Sequence, residues 1–482
     1  MIKRYKALSD TTITNAYKLG NLSRATGSNM GACDSLEVFA LFNQESGASE
    51  EYSRILLKFD IGTIVSDRAQ GDLPASGSVK FKLKAFDVAH VDTLPKGATL
   101  EILPVTTEWD EGYGKDLDNY TDPGIGSLGL GANWVNASSS SGGSVPWSSL
   151  GGDYDYSATS TQTIENGYEN LDVDITVLVE DWISGARNNY GVGIKITGSQ
   201  AEASSKQISY YSKKFSARTS EYHFSKPIIQ AEFDDTIKDD RGKFTISSSF
   251  LSATDNINNL YVYNYVNGAL KSLPVSTLYV KLFDSEGTEL VITPVTPAVA
   301  SQVSTGVYSC ALAAVTADTD LNDVWYADAG CTEFYHSGSV KVQPTAISNV
   351  NTAPTYVTNI TNLKSEYSVD EVPRLRVITR NKNVPFNVYT VSNDNSVIDI
   401  VQVVYRISRV EDDLKILDYL TGSSANSATY LSYDISGSYF DFDMNILQPG
   451  YSYKFNLGIV QGEKVVETKK SFKFRIIDEE DV

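Results

Sequence analysis

The sequence is poor in the residues that carry most enzymatic chemistry. Its 482 residues include only three histidines, three cysteines and three methionines. His90, His223 and His336 lie far apart among strand-like residues, and none belongs to a metal-binding motif. The serine-nucleophile and glycine-rich phosphate-binding signatures of common enzyme folds are also missing. We therefore expect a protein that is not an enzyme and that has no catalytic or cofactor-binding residues.

Cysteine is too scarce for a disulfide framework, because only Cys33, Cys310 and Cys331 are present. A free cysteine packs as a small apolar residue. We expect all three to be reduced, as is typical of a protein that matures in a reducing compartment.

Basic charge and long apolar runs are lacking as well. There are 40 Lys and Arg against 60 Asp and Glu, which gives a net charge of −20. Such a chain repels phosphate backbones, so we expect no nucleic-acid partner. No run approaches the ~20 apolar residues of a membrane span, and polar residues follow the basic start where a signal peptide would be apolar. We expect neither a signal peptide nor a membrane contact.

Residues that can form a hydrophobic core are plentiful, with 41% hydrophobic residues and 29 tyrosines, so we expect the chain to fold. Its length suggests about three domains at ~150 residues each. Alternation of period two predicts strands, for example over residues 79–86, 278–283, 401–407 and 471–476. Helical spacing is scarce, and its best case covers residues 174–183, where Asp174 could cap one short helix and Gly185 could end it.

Two polar segments mark domain boundaries, a charged joint at residues 234–242 and a proline-bounded stretch at 343–354. They predict domains 1–236, 237–343 and 351–482. The fold class predicted is all-β: an N-terminal β-sandwich with one short helix, followed by two Ig-like or fibronectin III-like β-sandwiches of ~100 residues.

Carboxylates around Trp109 are candidate calcium ligands, because calcium prefers hard oxygen donors. They are Glu108, Asp110, Glu111, Asp116 and Asp118, although EF-hand spacing is absent. Glu108 and Asp110 could also form a glycosidase pair. An acidic surface would show the same carboxylate patterns without any calcium or glycosidase site. The sequence therefore does not define a metal ligand.

Aromatic residues of the first domain are candidates for stacking on glycan rings. They are Trp109, Trp134, Trp147, Tyr154 and Tyr156. Core or loop-packing roles would need the same residues. Trp134 and Trp147 also flank a Gly/Ser tract at 136–144, which favours a packed loop over a linker.

Several motifs of the first domain resemble the DNRLRE-type, carbohydrate-binding-module-like jelly roll. They occur in family order at residues 9–12, 53–60, 77–83, 108–112, 171–182 and 190–194. The resemblance covers about residues 1–235. It implies a jelly-roll fold in which the RxLLxF strand and the helix with Trp182 are structural, and it implies no catalytic residues.

The forms at residues 133–138, 146–154 and 211–218 are similar to the version found in virion structural proteins of tailed bacteriophages. Secreted bacterial members of the family carry signal peptides and attach to polysaccharide. The expected lack of a signal favours the virion version.

The third domain resembles a fibronectin III or related Ig-like sandwich. Residues 447–453 match the L-x-P-G-x-x-Y corner, which implies that Tyr453 is a structural residue with its hydroxyl bonded to backbone upstream. Residues 306–312 are similar to the F-type strand of an Ig-like module.

These resemblances lead to the expectation of a non-enzymatic bacteriophage virion protein, associated with the capsid, neck, tail or fibre and assembled in the host cytoplasm. Its expected partners are other virion proteins and, because β edges can pair, further copies of itself. The alternative is a carbohydrate-binding adhesin that attaches to host surface glycans. The acidic end, residues 478–482, is expected to be a solvated tail rather than a docking patch.

Overall fold

A computed structural model describes residues 1–18, 23–42, 49–115, 130–140, 143–198, 209–343, 355–382, 401–420, 428–462 and 464–478. The chain forms two compact units: the first is Ile2–Phe233, and the second is Asp234–Val482 with Met1. Antiparallel sheets dominate both, so the predicted all-β class is confirmed. No helix among the described residues is long and apolar enough to span a membrane.

The first unit contains strands β1 to β12. Their bounds are Ile2–Thr14, Ser35–Phe42, Glu50–Phe59, Val79–Ala85, Ala98–Pro104, Asn136–Ser140, Gly143–Pro146, Ser160–Ile164, Leu171–Asp174, Val192–Thr197, Ser209–Ser216 and Ile228–Phe233. Eight of them follow the order β8-β5-β10-β3-β1-β12-β4-β9, with β2 joined to β3 and β11 joined to β2. Strands β6 and β7 form a separate hairpin.

Strand β1 links the two halves of this sheet. Its first residues, Ile2 to Lys6, pair with β12, and the residues from Ala7 onward pair with β3. The register shifts between Ala7 and Ser9, and such an irregularity bends a strand. The bend lies where β1 changes its partner from β12 to β3.

Strand β4 shows the predicted alternation. Val79, Phe81 and Leu83 are buried, whereas the lysines between them are half-buried. Lys84 reaches Asp172 on β9 at 3.0 Å. One face of the strand therefore joins the core and the other carries ion pairs.

The predicted helix exists as α2 (Thr176–Ser184), and Gly185 ends it in the left-handed region at φ 76°. The N-cap residue is Ile175, which makes no side-chain cap bond, so the predicted cap Asp174 is one residue too early; its Oδ1 accepts a hydrogen bond from the Thr176 N–H at 2.9 Å. Leu178 and Trp182 face the core.

A second helix, α1 (Ile61–Gln70), was not predicted. The carboxylate of Asp60 caps it by accepting from the Gly62 N–H at 2.9 Å. Arg68 of α1 makes two 2.7 Å bonds with Glu180 of α2, which pairs the helices.

The second unit begins with strands β13 to β21. Their bounds are Asn258–Tyr263, Tyr265–Val266, Ala269–Leu270, Thr277–Phe283, Ile292–Thr293, Ala298–Ser304, Val307–Ala314, Asp320–Tyr326 and Phe334–Lys341. Seven of them form one sheet, with β13 and β21 at the ends of the order β13-β19-β18-β16-β20-β21 and β17 beside β19. This sheet surrounds a single core that includes Phe244, Tyr308 and Trp325.

The remaining strands, β22 to β30, form two sheets. Their bounds are Tyr356–Ile360, Glu366–Ser368, Arg374–Asn381, Val403–Arg409, Lys415–Leu417, Ser432–Asp434, Gly437–Asp441, Ser452–Gln461 and Lys464–Ile477. One sheet has the order β22-β24-β28-β27 and the other β23-β30-β29-β25-β26. This is the two-sheet arrangement of an Ig-like sandwich.

The tyrosine corner stands at the start of β29. The Tyr453 hydroxyl donates to the Gln448 carbonyl at 2.8 Å and accepts from the Gln448 N–H at 3.0 Å. Both bonds reach backbone upstream, as the motif implies. Burial raises the pKa of Tyr453 to about 12, so the hydroxyl keeps its proton.

The first unit ends at Phe233, and the charged joint at 234–242 belongs to the second unit. The charged joint pairs with other parts of the second unit. Lys238 forms a β-bridge with Tyr433, and Phe244, just after the joint, forms a β-bridge with Val342. Residues 344–354 of the second predicted boundary, and 479–482 of the acidic end, lie outside the described residues. No disulfide joins Cys33, Cys310 and Cys331, all of which lie in the described part of the chain.

Candidate functional site

The three tryptophans proposed as glycan platforms are buried. Trp109, Trp134 and Trp147 have exposed fractions of 4%, 6% and 6%, and they pack in one core cluster with Ile13 and Leu56. The indole N–H of Trp109 donates to the Tyr190 carbonyl and that of Trp147 to the Asn133 carbonyl, both at 2.8 Å. A buried ring cannot stack on a sugar, so these three residues serve packing.

Tyr154 belongs to the same packed region. The Arg54 guanidinium lies 4.9 Å from the ring centroid of Trp134 and 5.4 Å from that of Tyr154. Arg54 Nη1 and the Tyr154 hydroxyl both donate to the Gly151 carbonyl, at 2.6 and 2.8 Å. This arrangement fastens the loop after β7 to the sheet through cation–π contacts and hydrogen bonds.

Tyr156 is the one exposed ring among the five candidates, with an exposed fraction of 61%. Lys195 Nζ lies 4.6 Å from its centroid and 3.3 Å from its hydroxyl. Among the five candidates, only this ring is exposed enough to stack on a glycan.

Two of the carboxylates around Trp109, Glu108 and Glu111, form ion pairs. Both Glu111 oxygens accept from the Arg218 guanidinium, and Oε1 also accepts from the Asp10 N–H at 2.8 Å. Glu108 lies 3.6 Å from Lys58 Nζ. Within the described part of the chain no group of three or more His, Cys, Asp or Glu could hold a metal. Asp116 and Asp118 lie outside that part.

Asn29 braces the loops that contain these carboxylates. Its Nδ2 donates to the carbonyls of Glu111 and Ala132, each at 2.7 Å, and its Oδ1 accepts from the Gly114 N–H at 2.9 Å. A Cβ on Gly114 would lie 1.7 Å from the Asn29 carbonyl oxygen. Glycine is therefore required where the loops approach each other.

Asp10 is a buried carboxylate beside this brace. Its Oδ2 accepts from the Arg218 N–H at 2.6 Å, while Oδ1 has no hydrogen-bond partner. Burial raises the pKa of Asp10 to about 7, and the nearby Glu111 carboxylate adds to the effect.

In the second unit, Arg241 spans the opening between the two end strands of the seven-stranded sheet. Its Nη2 donates to the Tyr261 carbonyl on β13 at 2.9 Å, and Nη1 donates to Asp323 Oδ1 at 2.6 Å. Asp323 is fully buried, and it also accepts from the Trp325 indole N–H. Arg241 passes Gly338 of β21, where a Cβ would lie 2.2 Å from Nη1. A charged side chain thus closes the opening.

A cleft of about 400 Å³ lies over Arg241, and we call it the Asp239 cleft. It is lined by Asp239, Arg241, Tyr261, Val262, Tyr263, His336, Gly338, Ser339, Asp434 and Ile435. Burial raises the pKa of Asp239 to about 7. The Asp323 and Asp434 carboxylates also raise this pKa, whereas Arg241 lowers it. Burial also lowers the pKa of His336, with a further contribution from Arg241.

The sequence alone does not reveal this group, because residues 234–242 have the composition of a solvated joint. A run of charges at a joint is normally solvated. One sequence signal could have indicated a buried charge. Asp323 stands two residues before Trp325 in an alternating strand, so both side chains lie on the buried face.

The comparisons with known proteins identify no family. No family model matches the chain, and no curated protein matches it. Weak similarity is found to a solved structure of trypsin-activated alpha-2-macroglobulin from Escherichia coli, at 9% identity and TM-score 0.16, over 83% of this chain and 22% of that one. A Salmonella alpha-2-macroglobulin mutant is similar at 8% identity and TM-score 0.15, over 98% of this chain and 26% of that one. The Escherichia coli adhesin FdeC is similar at 11% identity and TM-score 0.15, over 92% of this chain and 97% of that one.

This chain thus spans about a quarter of the length of each macroglobulin. It is a multi-domain all-β protein with weak structural similarity to bacterial α2-macroglobulins and to adhesin Ig-like domains.

Proposed function

We propose that the chain is a non-enzymatic structural protein of a tailed-bacteriophage virion, associated with the capsid, neck, tail or fibre. It acts in assembly or surface decoration through protein–protein contacts with other virion proteins and with further copies of itself. The starting point is the resemblance of the first-unit motifs to virion jelly rolls.

The main support for the proposal is that residues of these motifs pack and form hydrogen bonds inside the first unit. Glu111 of the 108–112 motif is held by Arg218, and Trp109 is buried with its N–H bonded. Buried polar groups that find internal partners fix one conformation of the loops around them. A domain braced in this way presents a preformed surface, which suits a part that repeats within an assembly.

A second observation supports contact with proteins. Phe250, Val291 and Val315 have exposed fractions of 97%, 84% and 71%. Ile292 pairs with Ala314, so Val291 and Val315 lie beside the same rung, and the Ser247 N–H bonds to the Ala314 carbonyl at 2.9 Å. Exposed apolar side chains that lie side by side, as Val291 and Val315 do, are typical of a surface that a protein partner covers.

The test is incorporation into virus particles purified from the source culture. The wild-type chain is expected to co-sediment with the particles. The variant with Phe250→Ser, Val291→Ser and Val315→Ser is expected to be incorporated less, while Val91→Ser removes an equally exposed side chain from the first unit as a control. Circular dichroism and thermal unfolding check that the variants fold.

The adhesin alternative makes the opposite prediction. The chain would be absent from particles and would bind a glycan array, with binding lost in Tyr156→Ala because Tyr156 is the exposed ring among the five candidates. That pair of results would overturn the virion proposal.

A further inference from the structure

We propose that the Asp239 cleft is a binding site for an organic cation, namely the guanidinium or ammonium group of an arginine or lysine side chain presented by a partner protein. The site lies wholly within the second unit. It does not depend on the proposed virion role.

The balance of charges around the cleft favours a cation as its ligand. The positive group that lines the cleft, Arg241, is already engaged by Asp323 and by the Tyr261 carbonyl. Asp434 is paired with Arg376 at 2.6 Å. Asp239 shares Arg241 with Asp323, because its Oδ2 lies 3.6 Å from Arg241 Nε. The cleft therefore keeps an unbalanced negative charge whenever Asp239 is ionised.

The second argument is the state of the Asp239 carboxylate. Only 4% of the residue is exposed. Its Oδ1 accepts one long bond, 3.3 Å, from the Arg241 N–H, and its Oδ2 lies 3.6 Å from Arg241 Nε, beyond hydrogen-bond distance. A buried charge with so few donors is costly, and a cation placed against it would lower that cost.

The third argument is the aromatic wall. Tyr261 and Tyr263 stand two residues apart on β13, so both point to the same side of the strand, away from buried Leu260 and Val262. A cation is attracted to the face of such rings. His336 is neutral near pH 7 because burial and Arg241 lower its pKa, so it adds no opposing charge.

Size and net charge agree with this ligand. A volume of about 400 Å³ admits the end of one long side chain rather than a large cofactor. The net charge of −20 would attract a basic partner over long range. Carboxylate together with aromatic faces favours an organic cation, since a metal ion would seek several oxygen ligands.

The groups that govern the pH dependence are the charged and titratable side chains around Asp239. They are Asp240, Arg241, Tyr261, Tyr263, Asp323, His336 and Asp434. With the pKa of Asp239 raised to about 7, the carboxyl is about one-tenth ionised at pH 6 and about nine-tenths ionised at pH 8. Cation binding should therefore be about tenfold stronger at pH 8.

Saturation-transfer NMR on the full chain can measure this with Nα-acetyl-arginine methylamide as the probe. Its neutral isostere, the citrulline compound, reports on binding that does not need the charge. We expect the arginine probe to bind at pH 8, to bind about tenfold more weakly at pH 6, and to lose binding in Asp239→Asn. The citrulline compound should not bind.

Asp412→Asn is the matched control, because it removes an exposed carboxylate of the same unit that is paired with Arg409. It should leave binding unchanged. Equal binding of the two probes, unchanged binding in Asp239→Asn, or equal loss in both variants would overturn the proposal. Because purified protein suffices, these outcomes are separate from those of the particle experiment.

Discussion

Arg241 reaches past Gly338 and donates from Nη1 to Oδ1 of Asp323 at 2.6 Å, inside the core of the seven-stranded sheet. The aspartate has no exposed surface, and its other oxygen accepts from the Trp325 indole. The pair joins a residue of the joint before the sheet to a residue of its core. It explains why a charged joint is part of the folded unit.

Removing Arg241 should strongly destabilise the second unit, because Asp323 would be left as an unpaired buried charge. For Arg241→Met we expect a loss of about 3–5 kcal/mol. Hydrogen exchange of peptides from β16 and β20 measures the effect in the full chain. Lys281→Met breaks the more exposed pair with Glu289 and should cost well under 1 kcal/mol. Similar protection in both variants would contradict the role of Arg241.

Asp10 should make the first unit less stable as the pH rises. Burial raises its pKa from 3.8 in the unfolded chain to about 7, so between these values the folded state binds more protons. The free energy of unfolding therefore falls from about pH 4 to pH 7 and then levels off. Asp10→Asn mimics the protonated form and should raise the thermal midpoint at pH 8 but change it little at pH 4.

Asp72→Asn, at an exposed carboxylate of the same unit, is the control for this pH series. It should not raise the midpoint at pH 8. If Asp10→Asn lowered the midpoint there, the ionised carboxylate would be a stabilising group and the account of Asp10 would fail.

Tyr453→Phe should destabilise the second unit by about 1–3 kcal/mol, because both hydrogen bonds with the backbone of Gln448 are lost where the side chain is buried. Tyr451→Phe makes the same chemical change two residues earlier, where the described residues offer the hydroxyl no hydrogen bond. Exchange of peptides from β25 and β29 should separate the two variants. Equal exchange would mean that the corner contributes no stability.

Helix α1 should depend on its cap. Asp60→Ala removes the acceptor for the Gly62 N–H and the Thr63 hydroxyl, and should cost about 1 kcal/mol. Ser66→Ala, in the middle of the helix, should be neutral. Faster exchange confined to residues 61–70 in the Asp60 variant is the expected result, and no difference between the variants would contradict it.

This helix also shows what the sequence could not reveal. Only Ile61 and Ile64 are buried, so no apolar stripe of two turns exists to be read. Its stability comes from Asp60 next to it and from Glu180 on α2, more than a hundred positions away. In α2, by contrast, the stripe and the terminal glycine are local, and the helix was predicted within two residues.

The aromatic candidates illustrate the same limit of local pattern. A tryptophan beside a Gly/Ser tract is compatible with a platform or with a packed loop. The burial of Trp109 depends on the remote carbonyl of Tyr190. Tyr453 was predictable because its partner lies five residues away. The Asp239 cleft needs residues from β13, β21 and β27, and no segment contains its pattern.

The most direct test of the virion proposal is cryo-electron microscopy of particles from the source culture, with the chain carrying a labelled tag. The account predicts regular, symmetry-related density that fits the two β units and contacts other virion proteins. Particles without this density, with the chain recovered free or bound to cell-surface polysaccharide, would contradict the proposal.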